Sequence, residues 1–175
     1  AFAARILPHI TGRPVSLVRA PDGINGAKFF QRHAGKQAIK SRPIKIRGEA
    51  KPYLAIDDLE GLMSLAQADV LEIHPWGSKK NAPDVPERII IDLDPAPGLA
   101  FDVVIEAAKE MGERFKACGL EPFVKTTGGK GLHVVAAVKG GGKVLHWNEV
   151  KEFAHLICVQ MERDNPRAYT TAMAK

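Results

Sequence analysis

The spacing of apolar and polar residues along the chain predicts short strands that alternate with helices. Alternating or continuous apolar runs predict strands over residues 13–20, 28–33, 44–47, 53–56, 70–74, 89–94, 122–126 and 132–138. Apolar residues three and four positions apart predict helices that begin after Asp57 or Asp58, over 101–118, and from Trp147 or Asn148 to 164. Because several strands also follow one another as hairpins, we expect a mixed α/β sheet in a single domain over residues 1–175.

Each predicted helix carries an apolar stripe that is expected to face the core. The stripes are Leu59, Leu62 and Leu65 or Ala66 in the first helix, Val104, Ala108, Met111 and Phe115 in the second, and Val150, Phe153, Ala154, Ile157 and Met161 in the third.

The isoleucine run at 89–91, which predicts a buried strand, leads into the acidic pair Asp92 and Asp94. Residues i and i+2 of a strand project from one face, so the two carboxylates are expected to point together while Leu93 packs on the other side. Pro95 has no N–H and is expected to end the strand. Adjacent carboxylates repel each other unless they are protonated or bind a cation, and Mg²⁺ or Mn²⁺ suits oxygen ligands. A strand that ends in an acidic turn is the alternative interpretation.

Composition narrows the class of protein. With 175 residues, of which 45% are hydrophobic and 26% charged, the chain is long enough for a substantial core and is typical of soluble globular proteins. No apolar run approaches the ~18 residues needed to span a membrane, and the first residues show no signal-peptide pattern. Cys118 and Cys158 lack metal-ligand spacing, and we interpret them as buried thiols in a reducing compartment.

Positive charge is unevenly distributed in a chain of net charge +5. From residue 28 to residue 51 there are eight Lys and Arg residues against one acid, Glu49. Such a segment is usually a solvated face, but it is also typical of a track for a phosphate backbone. The neighbouring Phe29 and Phe30 point to opposite faces of their strand, so an exposed ring beside Arg32 could stack on a base. Packing of both rings beneath the basic segment is the alternative.

A glycine-rich segment, TTGGKGLH, lies between two predicted strands at residues 126–133. Its three glycines allow the backbone to approach a ligand and to aim N–H groups at it. Lys130 and the hydroxyl of Thr127 suit phosphate oxygens, and the imidazole of His133 could bind or protonate a phosphate. The segment is not a Walker P-loop, because no Ser or Thr follows the lysine and a strand comes next instead of a helix. The alternative is a hairpin turn with an incidental lysine.

Together these features indicate a reaction class. A carboxylate pair for metal ions and a loop for a triphosphate are the parts of metal-assisted nucleotidyl transfer, in which a 3′-hydroxyl attacks and pyrophosphate leaves. The basic hairpin adds a surface for nucleic acid.

Five segments, in this order, resemble the polymerase domain of bacterial ligase D: RPVSLVRAPDG, FFQRH, EIHPWGS, IIIDLDP and TTGGKGLHVV. That domain belongs to the archaeo-eukaryotic primase superfamily and acts in non-homologous end joining. The resemblance covers nearly the whole chain, and the combination of DLDP with GGKGLHV is specific. It implies a primase-polymerase fold, in which helices flank a catalytic sheet similar to that of an RNA-recognition motif.

The resemblance also implies roles for individual residues. It implies that Asp92, Asp94 and His133 are catalytic. It also implies that the two aspartates bind two metal ions, which are Mn²⁺ or Mg²⁺, and that Mn²⁺ is often preferred. The residues implied in nucleotide binding are Arg19, His74, Ser78, Thr127, Gly128, Gly129, Lys130 and His133. Those implied in DNA contact are Phe29, Phe30 and Arg32. From its position alone, before a Pro-Trp-Gly turn, His74 is more often structural.

The implied activity is template-directed addition of nucleotides, often ribonucleotides, from nucleoside triphosphates to gapped or broken DNA ends that carry a 5′-phosphate. The implied partners are ligase and phosphoesterase domains and Ku, in the bacterial cytoplasm near the nucleoid.

This sequence departs from the family pattern in two respects. The family often has Ser where Thr127 stands, but the hydroxyl is retained and we expect little change. The third metal-binding Asp of the family is expected a few residues beyond Lys175, and the family's domain begins several dozen residues before Ala1, where a basic site for the 5′-phosphate is expected. We therefore expect this chain to be the central part of such a domain.

Two other classes of function remain open at this stage. A non-catalytic module that binds nucleic acid or nucleotide is consistent with a missing third carboxylate. A phosphotransferase of the haloacid-dehalogenase type uses the first Asp of a strand-end D-x-D-x-T as its nucleophile. Here Ala96 replaces that Thr and the strand lies in mid-chain. Phosphatase activity on an aryl phosphate without DNA would distinguish this class.

Overall fold

The computed structural model describes residues 2–35, 39–138 and 142–172. The chain divides into two compact units, Ala1–Pro83 and Asp84–Lys175. Each unit has its own three-stranded sheet and its own apolar core. That residues 1–175 form a single domain stays a prediction.

The observed elements confirm the mixed α/β class. The helices are α1 (Ala3–Ile10), α2 (Leu59–Gln67), α3 (Phe101–Ala117) and α4 (Trp147–Asp164). The strands are β1 (Val15–Arg19), β2 (Phe29–Gln31), β3 (Val70–Pro75), β4 (Ser78–Lys79), β5 (Ala82–Pro86), β6 (Arg88–Leu93), β7 (Pro122–Thr126) and β8 (Leu132–Ala137). Strands β4 and β5 form a two-stranded sheet, and the other six form two antiparallel sheets, β2-β1-β3 and β6-β8-β7.

The first unit is built on β1, which lies between β2 and β3. Val15 and Leu17 of β1 are fully buried, because they alternate onto the face that packs against apolar residues of α1 and α2. Residues 54–56 add a buried run beneath the same face. Asp58 caps α2 by accepting a hydrogen bond from the Gly61 N–H at 2.8 Å, which confirms the second of the two predicted cap residues.

Three expectations for the first unit are wrong. Residues 44–47 and 53–56 are not strands, because Ile44 and Tyr53 form only isolated bridges. Gly48 turns the chain in the left-handed region of backbone conformation. The prolines at positions 43 and 52 have no N–H to donate to a strand ladder. Leu59 is 55% exposed at the start of α2 instead of facing inward. Helix α1 was not predicted.

Helix α1 is short and has Pro8 inside it, which obscured its helical pattern in the sequence. Its Ile10 is buried, and Ile6 and Leu7 pack against the core of the first unit. Tertiary packing of this apolar stripe therefore outweighs the poor local signal.

In the second unit, α3 and α4 cover one face of the β6-β8-β7 sheet. The predicted stripe of α3 is buried, from Val104 to Phe115, and Gly119 ends the helix with φ +76°. Strand β6 is buried on this face only. Ile89 and Ile91 lie in the core, but Ile90 is 41% exposed, so the isoleucine run is a half-buried strand and not a fully buried one.

The segment after α4 is held to α3 by a polar network. Tyr169 donates a hydrogen bond to Glu110 at 2.8 Å, and Arg114 bonds both Glu110 and Asp164. The hydrogen bond from Arg114 lowers the pKa of the Glu110 carboxyl, whereas burial, followed by the bond to Glu110, raises the pKa of Tyr169 to about 12.

The two cysteines differ from expectation. Cys118 follows α3 and is exposed, so the prediction that it is buried is wrong. Cys158 is half-buried in α4, and burial raises the pKa of its thiol.

No helix in the described part of the chain is both long and apolar enough to cross a bilayer.

Replacement of the α2 cap tests the first unit. We expect Asp58→Ala to lower the free energy of unfolding in urea by about 1 kcal/mol, because the Gly61 N–H loses its acceptor. Asp58→Asn retains an acceptor and should cost only a few tenths of a kcal/mol. Equal stability of the Ala and Asn variants would contradict the cap.

Ultraviolet titration tests the Tyr169 network in a Tyr53→Phe background, where Tyr169 is the one remaining tyrosine. We expect its phenol to ionise near pH 12, compared with an ordinary pKa of 10.0. The folded state then binds one more proton than the unfolded chain between these values, so stability should fall as pH rises through this window. Circular dichroism confirms that the fold persists; ionisation near pH 10 in the folded protein would contradict the network.

Candidate functional site

Asp92 and Asp94 lie at the end of β6, on the face opposite the helices. Both carboxylate side chains are 62% exposed, while Leu93 between them packs against the core. The strand ends at Leu93, just before Pro95. The strand and its end before Pro95 are confirmed, and both carboxylates are exposed, as expected if they project from one face.

The neighbouring strand brings His133 beside the first carboxylate. In the antiparallel register of β6 and β8, Asp92 is paired with His133, and the His133 Nε2 lies 3.4 Å from the Asp92 Oδ1. This contact becomes an ion pair when the imidazole is protonated. Strand pairing therefore joins two predicted catalytic residues that are 41 positions apart in sequence, 133 against 92.

The turn between β7 and β8 brings a cation to the second carboxylate. Thr127 Oγ1 accepts a hydrogen bond from the Gly129 N–H at 3.2 Å, and Gly128 has φ +81°, which favours glycine. Lys130 Nζ donates to the Pro95 carbonyl at 3.3 Å and lies 3.8 Å from Asp94 Oδ2. We call Asp92, Asp94, Lys130 and His133 the acidic site.

Gly131 is required by a close approach of the turn to the end of β6. A Cβ at this position would lie 2.4 Å from the Leu93 carbonyl oxygen and 2.9 Å from Asp94 Oδ1. Since both neighbours belong to the end of β6, a side chain here would displace a carboxylate of the site. Its role was not predicted, because the sequence marks the whole glycine-rich run and not the member that lies against β6.

The donor chemistry of the acidic site fits a divalent cation. Asp92 and Asp94 present exposed oxygen donors on one face, and hard cations such as Mg²⁺ and Mn²⁺ prefer such donors. Within residues 2–35, 39–138 and 142–172 there is no group of three or more His, Cys, Asp or Glu side chains placed to hold a metal. The aspartate pair therefore offers two ligands of an octahedral set.

The first unit carries an aromatic surface, which we define as Phe29, Phe30, Arg32 and His74. Phe29 is 43% exposed and Phe30 is 53% exposed, so the alternative that both rings are packed beneath the basic segment is wrong. The Arg32 guanidinium lies 5.5 Å from the centre of the Phe30 ring, and the His74 ring lies 6.0 Å from it. Lys36, within the basic segment, falls outside the described residues.

His74 is positioned by a residue that was not predicted. Its Nε2 lies 2.8 Å from Glu72 Oε2, and both side chains project from one face of β3. The i, i+2 spacing of Glu72 and His74 in a predicted strand was the available signal.

Two residues implied in nucleotide binding are buried in the first unit. Arg19 is 2% exposed, donates to the Ala68 carbonyl at 2.6 Å and lies 5.1 Å from the centre of the Phe29 ring. Ser78 is fully buried. These contacts give Arg19 a structural role in the first unit, and the nucleotide contacts of both residues stay predictions.

Comparison with known proteins gives one consistent result. The family described as LigD, primase-polymerase domain, matches residues 1–175. The chain is 35% identical over 173 residues to the multifunctional non-homologous end joining protein LigD of Pseudomonas aeruginosa, covering 97% of this chain and 20% of that protein. It is 28% identical over 180 residues to the LigD protein of Mycolicibacterium smegmatis, covering 100% of this chain and 23% of that protein.

A solved structure shares the fold. The polymerase domain from Mycobacterium tuberculosis ligase D in complex with DNA has a TM-score of 0.84 and 26% identity, and the match covers 99% of this chain and 63% of that chain. Of the two full-length LigD proteins named above, by contrast, the chain spans only about a fifth of the length.

Substitution of glycine tests the close approach in the acidic site. We expect Gly131→Ala to destabilise the protein by about 1–3 kcal/mol in urea denaturation, because the added Cβ forces backbone apart. Gly129→Ala is the matched control, since its Cβ would meet nothing closer than 3.5 Å. If the two variants are equally stable, the β7–β8 turn does not approach the end of β6 as described.

Proposed function

The chain belongs to the LigD primase-polymerase domain family, and from this we propose that it is part of a template-directed nucleotidyltransferase. Its substrates would be nucleoside triphosphates and gapped or broken DNA ends in non-homologous end joining, the process that the names of its relatives state. Because the chain spans a fraction of those relatives, this activity is assigned to the domain to which it contributes.

The observation that carries the proposal is the acidic site. Its two carboxylates, one lysine and one histidine come together at a strand end, where Asp92, Asp94 and Lys130 are exposed and His133 is partly buried. Anionic groups suit metal ions, and the adjoining cations suit the phosphates of a nucleotide. This combination supports phosphoryl chemistry more directly than binding alone.

We propose that Asp92 and Asp94 hold divalent metal ions, Mn²⁺ or Mg²⁺. Bound there, such ions supply Lewis-acid activation of a 3′-hydroxyl and stabilisation of the departing pyrophosphate. The charge of the carboxylates and their placement on one face are the contribution of the chain.

The β7–β8 turn is proposed to hold the triphosphate. Lys130 offers an exposed ammonium group, Thr127 a hydroxyl, and Gly128 and Gly129 a backbone that can approach phosphate closely. His133 would add a positive charge beside the phosphates when its imidazole is protonated, with its Nε2 held beside Asp92.

The aromatic surface is proposed to contact DNA. Two exposed phenylalanine rings, one beneath Arg32, provide faces on which unpaired bases stack without sequence preference. His74 beside Phe30 would contribute to nucleotide binding, and Glu72 would fix its orientation.

We also propose several more specific properties on the basis of membership in this family. These are a preference for Mn²⁺ and for ribonucleotides, recognition of a 5′-phosphate at the break, action with Ku and with ligase and phosphoesterase domains, and a location in the bacterial cytoplasm.

A second candidate function is a module that binds nucleotide or nucleic acid without catalysis. It is favoured by one observation, namely that the described residues supply two carboxylates but no third metal ligand beside them. No observation in the structure favours the dehalogenase-type phosphotransferase over these two.

Primer extension tests the proposal. The assay uses this chain, Mn²⁺, each nucleoside triphosphate and a gapped duplex with a recessed 5′-phosphate. We expect extension that Asp92→Ala reduces by more than about a hundredfold, since even outer partners of metal ligands contribute 10- to 100-fold. DNA binding of this variant should be largely unchanged, because the aromatic surface is intact, and Asp84→Ala serves as the control for loss of an exposed carboxylate.

Lys130→Ala should mainly raise the KM for nucleotide.

The outcomes of the primer-extension assay separate the two candidate functions. Binding of nucleotide and DNA without extension would support the non-catalytic module, and the assay repeated with the neighbouring coding sequence restored would then decide between a module and a domain that needs further residues. Extension retained in Asp92→Ala would overturn the role of the acidic site.

A further inference from the structure

The register of the β6-β8-β7 sheet places a third charged residue in line with the acidic site. Asp92 pairs with His133 across β6 and β8, and His133 pairs with Lys125 across β8 and β7. Directly paired residues of antiparallel strands project from the same face. Asp92, His133 and Lys125 therefore form one row on the face that α3 and α4 leave uncovered.

The next row on this outer face is apolar. It consists of Ile90, Val135 and Phe123, paired in the same way, with Ile90 41% exposed and Phe123 62% exposed. Of these two rows, the one that contains Asp92 is therefore the charged one, and Lys125 occupies its far end.

Lys125 is exposed, and among the described residues its ammonium group makes no hydrogen bond or ion pair. By contrast, Lys130 is engaged with the Pro95 carbonyl and faces Asp94. Adjacent strands lie about 4.8 Å apart, so the row spans about 10 Å from β6 to β7, with the imidazole of His133 in the middle. A polyanion with one end near the carboxylates and their metal ions would cross His133 and reach Lys125.

We propose that Lys125 is a further phosphate-binding residue beside the acidic site, and that its ammonium group binds a non-reacting phosphate oxygen of the substrate. This inference rests on the proposed function. The phosphate belongs either to the triphosphate of the nucleotide or to the backbone of the nucleic acid. Both present the same oxygen chemistry to a lysine, which acts as a flexible point charge.

A competing explanation is that Lys125 protects the sheet edge. Strand β7 is at the edge of its sheet, and exposed lysines on edge strands discourage pairing with other chains. In that case substitution would increase aggregation but would not change affinity for a phosphate ligand.

Binding measurements with Lys125→Gln test the proposal. The probes are ATP with Mn²⁺ and a fluorescein-labelled gapped duplex with a recessed 5′-phosphate. We expect a rise of about tenfold in the Kd of one probe, the size of a lost charge-assisted hydrogen bond, and recovery of most of this loss in Lys125→Arg. Lys109→Gln removes the same charge from an exposed position on α3, where Lys109 pairs with Glu106, and should bind both probes like the wild type.

The two arms identify the source of the phosphate. Weaker ATP binding with unchanged duplex binding assigns Lys125 to the triphosphate. Weaker duplex binding, with the slope of log Kd against log salt concentration reduced by about 0.9, assigns it to the backbone.

Wild-type affinity for both probes in Lys125→Gln overturns this inference and leaves the proposed function in place, whether or not the variant aggregates. Failure of the wild-type chain itself to bind either probe overturns the proposed function and this inference together.

Discussion

The antiparallel pairing of β6 with β8 is the constraint on which the acidic site depends. It places His133 opposite Asp92 and brings the β7–β8 turn to the end of β6, where Lys130 faces Asp94. The approach is so close that only glycine fits at position 131. A shift of one residue in this register would turn every side chain of one strand to the other face, so the buried residues of β6 and β8 also fix the site.

The electrostatics of the site follow from this geometry. Two exposed carboxylates on one face repel each other, and each has one cationic or potentially cationic neighbour, Lys130 or His133. Lys130 lies in the β7–β8 turn and His133 lies in β8. Negative charge is therefore concentrated at the end of β6, and positive charge lies along the turn and β8. Such a division suits a ligand that brings both metal ions and phosphates.

In the first unit, strand alternation likewise separates a buried apolar face from an exposed one. Alternation along β1 buries Val15 and Leu17 against helices, while the strand pairing puts Phe30 and His74 on the opposite, exposed face. Arg19 is buried beneath Phe29, where its guanidinium is held by the Ala68 carbonyl. A cation that the family resemblance implies in nucleotide binding thus packs against an exposed ring in this unit.

The sequence by itself determined the elements and the residue types of the site. Period-two alternation placed Asp92 and Asp94 on one face, and helical periodicity found the buried stripe of α3, because both patterns are local. The sequence patterns gave the wrong result where local chemistry conflicts with packing. Pro8 obscured the helical pattern of α1. The alternation at 44–47 predicted a strand that Gly48 and the flanking prolines prevent. Only the tertiary structure decided which strand lies beside which. The contact of His133 with Asp92, the need for glycine at 131 and the alignment of Lys125 with the site are properties of strand register, which depends on the burial of whole faces and not on any one segment.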